Sequence, residues 1–147
     1  GYIFLSGQKS PTDMMMYYDI RCNTPFNGVY SREREVFAQF HAFVMFGKLY
    51  ALGTEVESGE YNPDTDIAMV AAKNGKKGGI MIANIGEAVR TLEIDLKGMG
   101  NFESYTVRTM DCIKSPTLPT LYERGAVPEK LTINLNNRHS ITYIEFE

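Results

Sequence analysis

Apolar and polar residues follow two different patterns along this chain, and the pattern changes near residue 53. In the first part, apolar side chains recur at the i, i+3, i+4, i+7 spacing of an amphipathic helix. These residues are Val36, Phe37, Phe40, Phe43, Val44, Gly47, Tyr50 and Ala51. Ser31 is a suitable N-cap and Gly53 is a suitable C-terminal stop, so the pattern predicts a helix over residues 33–52.

After Gly53 the chain consists of short β-type runs separated by turn-forming residues. Strict alternation at 92–96, 131–135 and 141–146 turns one face of each strand toward a core. The predicted strands cover residues 67–73, 79–84, 89–96, 103–113, 130–135 and 140–146. A proline-rich segment, 115–128, is predicted to be the longest irregular loop. We therefore expect a mainly β fold, an antiparallel β-sandwich of about six to eight strands with one long N-terminal helix packed on it.

The run MMMYYDI at residues 14–20 is apolar and aromatic and ends at a charge, which is typical of a short buried strand, although periodicity alone does not exclude a helix. A strand followed by a helix is one step of a β/α fold, and a parallel strand needs neighbours on both sides. The sequence thus divides into residues 1–53, with a strand, a loop and a helix, and residues 54–147, an all-β module.

Composition and charge exclude several classes of function. The net charge is −3 and no long cluster of Lys and Arg occurs, which argues against nucleic acid as a partner. No apolar run approaches the length of about 18 residues that a membrane span needs. His41 and His139 lie far apart, and no metal-ligand spacing is present, so we expect no metal and no cofactor. Cys22 and Cys112 could form a disulfide or stay as two buried thiols, and thiols are favoured because a chain of this size folds without a covalent staple.

Several stretches together resemble the end of the catalytic barrel in clan-A-type glycoside hydrolases, and the nearest likeness is to the family 39, 30 and 51 group. The stretches are MMMYYDIRCNTPFNGVYS and FHAFVMFGKLYALGTEVES, followed by β runs such as IAMVAAKNGKKGGIMIANIG and ITYIEFE. In that group the last barrel strand carries a run like Tyr-Tyr-Asp. A loop with Asn-Gly follows, and a closing helix then leads into a C-terminal β-sandwich. The matching residues here are Tyr17, Tyr18, Asp19, Asn27, Gly28, Ala42, Phe43, Phe46, Leu49, Tyr50 and Gly53.

The resemblance implies that residues 1–53 are the remnant of a barrel end and that residues 54–147 are the sandwich. Such enzymes carry two catalytic carboxylates, about 5–5.5 Å apart in retaining members, on the fourth and seventh barrel strands. On this resemblance the sequence begins after both strands. We therefore expect no catalytic residue and no glycoside hydrolysis by this chain alone, within a parent protein that is a glycoside hydrolase.

Four residues are candidates for a position near a ligand in a complete enzyme. Active sites of such barrels lie at the C-terminal ends of the strands, where the resemblance places Asp19 and Arg21. Tyr18 and Asn27 are the other two candidates. The alternative is that Tyr17 and Tyr18 are packing residues and that Asp19 pairs with Arg21 or caps the loop. We favour this alternative for the isolated chain.

Three hypotheses for function follow. The first is a non-catalytic sandwich that supports a catalytic barrel. The second is a carbohydrate-binding or protein-interaction module, for which Tyr105, Tyr122 and Tyr143 would have to share a face. The third is an independent enzyme of unknown type. The expected partners are an upstream catalytic barrel, a second copy of the chain and a glycan. The resemblance implies a secreted or periplasmic protein, while the sequence gives neither the compartment nor the substrate and linkage.

Overall fold

A computed structural model describes residues 1–8, 10–11, 29–30, 36–56, 66–87, 90–111, 119–135 and 139–147. This part of the chain contains two helices and eight strands. They are α1 (Tyr2–Gly7), α2 (Ala38–Tyr50), β1 (Thr54–Val56), β2 (Ile67–Asn74), β3 (Lys77–Asn84), β4 (Arg90–Asp95), β5 (Ser104–Asp111), β6 (Thr120–Ala126), β7 (Lys130–Leu135) and β8 (Ser140–Phe146). All six predicted strands are present, and the predicted mainly β, antiparallel fold is confirmed.

Six strands form one antiparallel sheet in the order β1-β2-β3-β8-β5-β6, and β4 pairs with β7 in a second sheet. The two-stranded sheet packs on one face of the six-stranded sheet, and the two helices pack on the other. The described residues thus form three layers, with the six-stranded sheet in the middle. Neither described helix combines the length and the hydrophobicity that crossing a membrane requires.

Each face of the six-stranded sheet carries its own core. The first core, between the two sheets, contains Ala71, Ile80, Ile82, Ile94, Leu96, Met99, Tyr105, Val107, Leu131, Ile133, Leu135, Ile144 and Phe146. The second core, under the helices, contains Leu5, Ala42, Met45, Leu49, Ala68, Val70, Ala72, Met81, Ala83, Met110, Ile141 and Tyr143. Because successive side chains of a strand point to opposite faces, β8 contributes to both cores, which explains why nearly all of its residues are buried.

The helix predicted over residues 33–52 is shorter than expected and begins at Ala38. Phe37 has an extended backbone, with φ −86° and ψ 166°, so it ends the preceding segment instead of continuing a helix. Val36 forms an isolated antiparallel bridge with Tyr30, and the Phe37 amide donates to the Val29 carbonyl at 3.1 Å. The β pairing of this segment overrides the helical spacing of its side chains. The predicted cap Ser31 and residues 33–35 lie outside the described residues.

Three elements were absent from the sequence prediction: α1, β1 and β6. β6 runs through the segment predicted to be the irregular loop 115–128, so that prediction is wrong for residues 120–126. This strand lies at the edge of the six-stranded sheet and most of its side chains are exposed. Its sequence therefore lacks the alternation of apolar and polar residues by which the other strands were predicted. Its pairing with β5 also contains a bulge between Val107 and Arg108, which shifts the register.

Candidate functional site

The four residues that the sequence singled out, Tyr18, Asp19, Arg21 and Asn27, lie outside the described residues, as do both cysteines and the predicted strand at 14–20. Their predicted positions near a ligand therefore stay predictions. The described residues instead present a helix layer, two grooves and a set of tyrosines.

α2 is apolar on two faces, and the sheet covers one of them. Ala42, Met45 and Leu49 face β2 and β3, at the i, i+3, i+7 spacing. The stripe predicted from the sequence lies elsewhere on the helix, since Val44 is 42% exposed and Tyr50 is 79% exposed. The expectation that the helix lies on a sheet face is met, but by a different set of residues than the one predicted.

The phenylalanines of α2 pack mainly between the helices. The ring of Phe4 in α1 lies 4.7 Å from the ring of Phe43 and 5.3 Å from that of Phe46, measured between centroids. Ile3 of α1 stands beside this cluster in sequence and is 73% exposed. The described helices thus carry three exposed apolar side chains, Ile3, Val44 and Tyr50. The sequence signal for this surface was the scarcity of polar residues in α2, which has polar side chains only at Gln39, His41, Lys48 and its terminal Tyr50.

His41 lies on α2 at the boundary between buried and exposed positions. Its Nε2 atom is buried and has no hydrogen-bond partner among the described residues. The ring of Phe40 meets the imidazole edge-on, with 5.5 Å between the centroids. Burial lowers the pKa of His41, so the imidazole stays neutral to lower pH than an exposed histidine would.

A groove of about 360 Å³ lies where α2 ends above β1 and β2. Phe46, Leu49 and Val70 line it, and Gln8 and Glu55 are its exposed polar members. A mostly apolar groove with polar groups at its exposed side can take an apolar side chain from a neighbouring surface.

A second groove, of about 350 Å³, lies at one end of the sandwich, between the turn after β4 and the turn before β7. Asp95, Lys97, Asn101 and Glu129 bring polar groups to it. The Asp95 carboxylate accepts a hydrogen bond from the Lys97 amide at 3.0 Å and pairs with the Lys97 ammonium at 3.1 Å. The backbone hydrogen bond from Lys97 is the main cause of the lowered pKa of Asp95, so this carboxylate stays ionised within its own turn.

The three tyrosines that a glycan-stacking platform would need do not share a face. Tyr105 belongs to the core between the sheets, and Tyr143 belongs to the core under the helices. Tyr122 is exposed and occupies the extra position of the bulge in β6. Since both Tyr105 and Tyr143 are buried, neither ring offers a stacking surface for a sugar.

No group of three or more His, Cys, Asp or Glu side chains in the described part of the chain is placed to hold a metal ion.

No protein-family model and no curated protein matches this chain. Solved structures do match it. The chain is similar to a GH30 endoxylanase from Clostridium papyrosolvens C71, with a TM-score of 0.66 and 19% identity over 82% of this chain and 30% of that chain. It is also similar to the GH51 α-L-arabinofuranosidase MgGH51, with a TM-score of 0.61 and 18% identity over 82% of this chain and 21% of that one.

A glucosidase from Croceicoccus marinus matches as well, with a TM-score of 0.57 and 15% identity over 81% of this chain and 33% of that chain. At these identities the likeness establishes the fold alone. The chain has the fold of a part of these glycoside hydrolases, and it spans one third or less of the length of each.

Proposed function

We propose that this chain is the β-sandwich domain of a glycoside hydrolase-like protein, with the closing helix of a catalytic barrel attached, and that its role is structural support without catalysis. The observation that carries the proposal is the uncovered apolar face of α2, in a fold that forms one part of larger glycoside hydrolases. The resemblance of the sequence to the end of a barrel supports the same reading.

A helix that packs between two domains buries an apolar face against each of them. One face of α2 is already filled by β2 and β3 through Ala42, Met45 and Leu49. Val44 and Tyr50 lie on the two flanks of the side away from the sheet, and burying each against a neighbouring domain would stabilise the contact by up to about 1.5–3 kcal/mol. A catalytic barrel packed there would bury this face, and the sandwich would hold the helix from the opposite side.

The test begins with the coding sequence immediately upstream of the codon for Gly1, where we expect a barrel to be encoded in the same frame. Val44→Glu is then made in the isolated chain and in the longer protein. In the isolated chain the glutamate is exposed and should change the free energy of unfolding by no more than about 0.5 kcal/mol. In the longer protein it would be buried against the barrel and should destabilise by several kcal/mol.

The matched control is Ile85→Glu, because Ile85 is 40% exposed and lies outside the helix layer. It should have the same small effect in both proteins, as measured by denaturant unfolding. Equal effects of Val44→Glu in both proteins would contradict the proposal. Hydrolysis of aryl glycosides by the isolated chain would contradict the absence of catalysis. A dimer of the isolated chain that Val44→Glu dissociates would assign the face to a second copy.

A further inference from the structure

The helix-side face of the six-stranded sheet is only partly covered by the helices. α1 and α2 make their main contacts with β2 and β3. β5 and β6 continue the same face toward the sheet edge. Arg108 and Leu121 are exposed there, with Leu121 at 57%, even though the neighbouring Tyr143 on β8 is buried.

Strand register places four side chains together on this part of the face. Arg108 of β5 pairs with Leu121 of β6, and Thr106 pairs with Arg124. Thr106 and Arg108 share a face because they are two residues apart in one strand, and directly opposed residues point to the same face. Arg108 and Arg124 are thus diagonal neighbours across the bulge of this pairing. We name Thr106, Arg108, Leu121 and Arg124 the arginine strip.

In the described part of the chain, no carboxylate forms an ion pair with either arginine of the arginine strip. Glu145 lies beside Thr106 in the register but pairs with Lys48 of α2 at 3.5 Å. Among the described residues, neither Arg108 nor Arg124 forms an ion pair or a side-chain hydrogen bond. Glu145 is the diagonal neighbour of Arg108 across β8, but its carboxylate pairs with Lys48, so both guanidinium groups keep their hydrogen-bond donors for another partner.

We infer that the arginine strip is a docking surface for a carboxylate-rich polypeptide surface. Guanidinium groups bind carboxylates through paired, parallel hydrogen bonds, and arginine is enriched at protein interfaces. Leu121, directly opposite Arg108, supplies an exposed apolar side chain beside the two cations, which suits a protein surface and not an acidic polysaccharide. A neutral polysaccharide depends on stacking against an open aromatic ring, and the ring in the same row, Tyr143, is 3% exposed. The inference stands on register and charge and does not depend on the proposed function.

The probe for the test is poly-L-glutamate, titrated by calorimetry against the full chain at low ionic strength, with polygalacturonate and neutral dextran in parallel. We expect the chain to bind poly-L-glutamate more tightly than polygalacturonate and not to bind dextran. The double variant Arg108→Gln/Arg124→Gln should weaken binding by about tenfold, which corresponds to about 1.4 kcal/mol shared between two exposed ion pairs of ordinary strength. Its circular dichroism should match that of the wild type, because both side chains are exposed.

The matched control is Lys97→Gln/Lys130→Gln, which removes the same charge from the two-stranded-sheet side of the molecule. Lys97 pairs with Asp95 and Lys130 with Glu93, so neither ammonium is unpaired. The control should keep its affinity within about twofold. An equal loss in both double variants would show that only net charge matters and would overturn the inference, as would no binding of poly-L-glutamate by the wild type. Tighter binding of polygalacturonate would overturn it in favour of an acidic polysaccharide.

Discussion

At the scale of single residues, the two buried tyrosines of the six-stranded sheet, Tyr105 and Tyr143, have raised pKa values. The Tyr105 hydroxyl donates a hydrogen bond to the Glu123 carboxylate. Burial, together with this bond and the charge of Glu123, raises the pKa of Tyr105 to about 12. Burial and the charge of Glu145 also raise the pKa of Tyr143. Both groups resist the loss of a proton in the folded state, because a phenolate would be buried beside a carboxylate.

The raised pKa of Tyr105 predicts a loss of stability at alkaline pH. An unfolded tyrosine loses its proton near pH 10.0 and the folded one near pH 12, so its contribution is complete below pH 10 and falls between these values. The slope is about 1.4 kcal/mol per pH unit for one such group. Tyr105→Phe should therefore unfold with a shallower pH dependence over this range in denaturant titrations.

The control for this prediction is Tyr122→Phe, because Tyr122 is exposed. Tyr143 is present in both variants and keeps part of the slope. If Tyr105→Phe and Tyr122→Phe showed the same pH dependence, the buried hydroxyl of Tyr105 would not be its source.

At the scale of elements, the contact between α2 and β3 depends on the absence of a side chain at Gly79. A Cβ atom at this position would lie 2.8 Å from the Tyr143 hydroxyl, 3.1 Å from Leu52 and 3.2 Å from Leu49. At this position the missing side chain leaves the space that Leu49 and Leu52 occupy against the strand. Gly47, on the outer side of α2, has no atom within 4 Å of such a Cβ.

Gly79→Ala and Gly47→Ala make the same chemical change and should have opposite effects on stability. Gly79→Ala overpacks the interface and should destabilise by about 1–3 kcal/mol. Gly47→Ala removes backbone freedom from the unfolded chain at an open helical position and should stabilise by about 0.5–1 kcal/mol. Thermal and denaturant unfolding of the two variants would measure both effects. A neutral Gly79→Ala would mean that α2 can move away from β3 without loss.

Alternation predicted the position of two strands correctly, but it predicted a single core-facing side only for one of them, because β8 is buried on both faces. β7 alternates between exposed and buried residues along its full length, and its predicted ends match the structure. β6 has one neighbour and mostly exposed side chains, so no pattern marks it. For α2 the spacing identified a helix but selected the wrong covered face. The apolar residues of α2 are distributed around its whole circumference. Only the tertiary contacts therefore decide which of them pack on the sheet.

At the scale of the whole molecule, the second core joins the two segments that the sequence separates at residue 53. Leu5, Ala42, Met45 and Leu49 come from the first segment, and the strands of the second supply the rest. Each of the larger side chains contributes about 1.5–3 kcal/mol when buried, which is a large share of the 5–15 kcal/mol by which a domain is stable.

Because this core is shared, we expect a fragment of residues 54–147 to be less stable than the full chain. Without the helices, Val70, Met81 and Tyr143 lose their cover on one sheet face. The fragment should bind a dye for exposed apolar surface and unfold at lower denaturant concentration than the full chain. A fragment with unchanged stability and no dye binding would show that residues 54–147 fold as a domain of their own.

The central place of β8 has a consequence for how the protein is made. β8 follows all other described strands in the chain, yet it lies between β3 and β5 and contributes to both cores. During synthesis on the ribosome, the β2–β3 and β5–β6 hairpins can form locally, but they stay separate until β8 has left the exit tunnel. Folding of the sheet thus waits for its last strand to be translated, and until then the nascent chain presents two unfinished apolar faces to the chaperones around it.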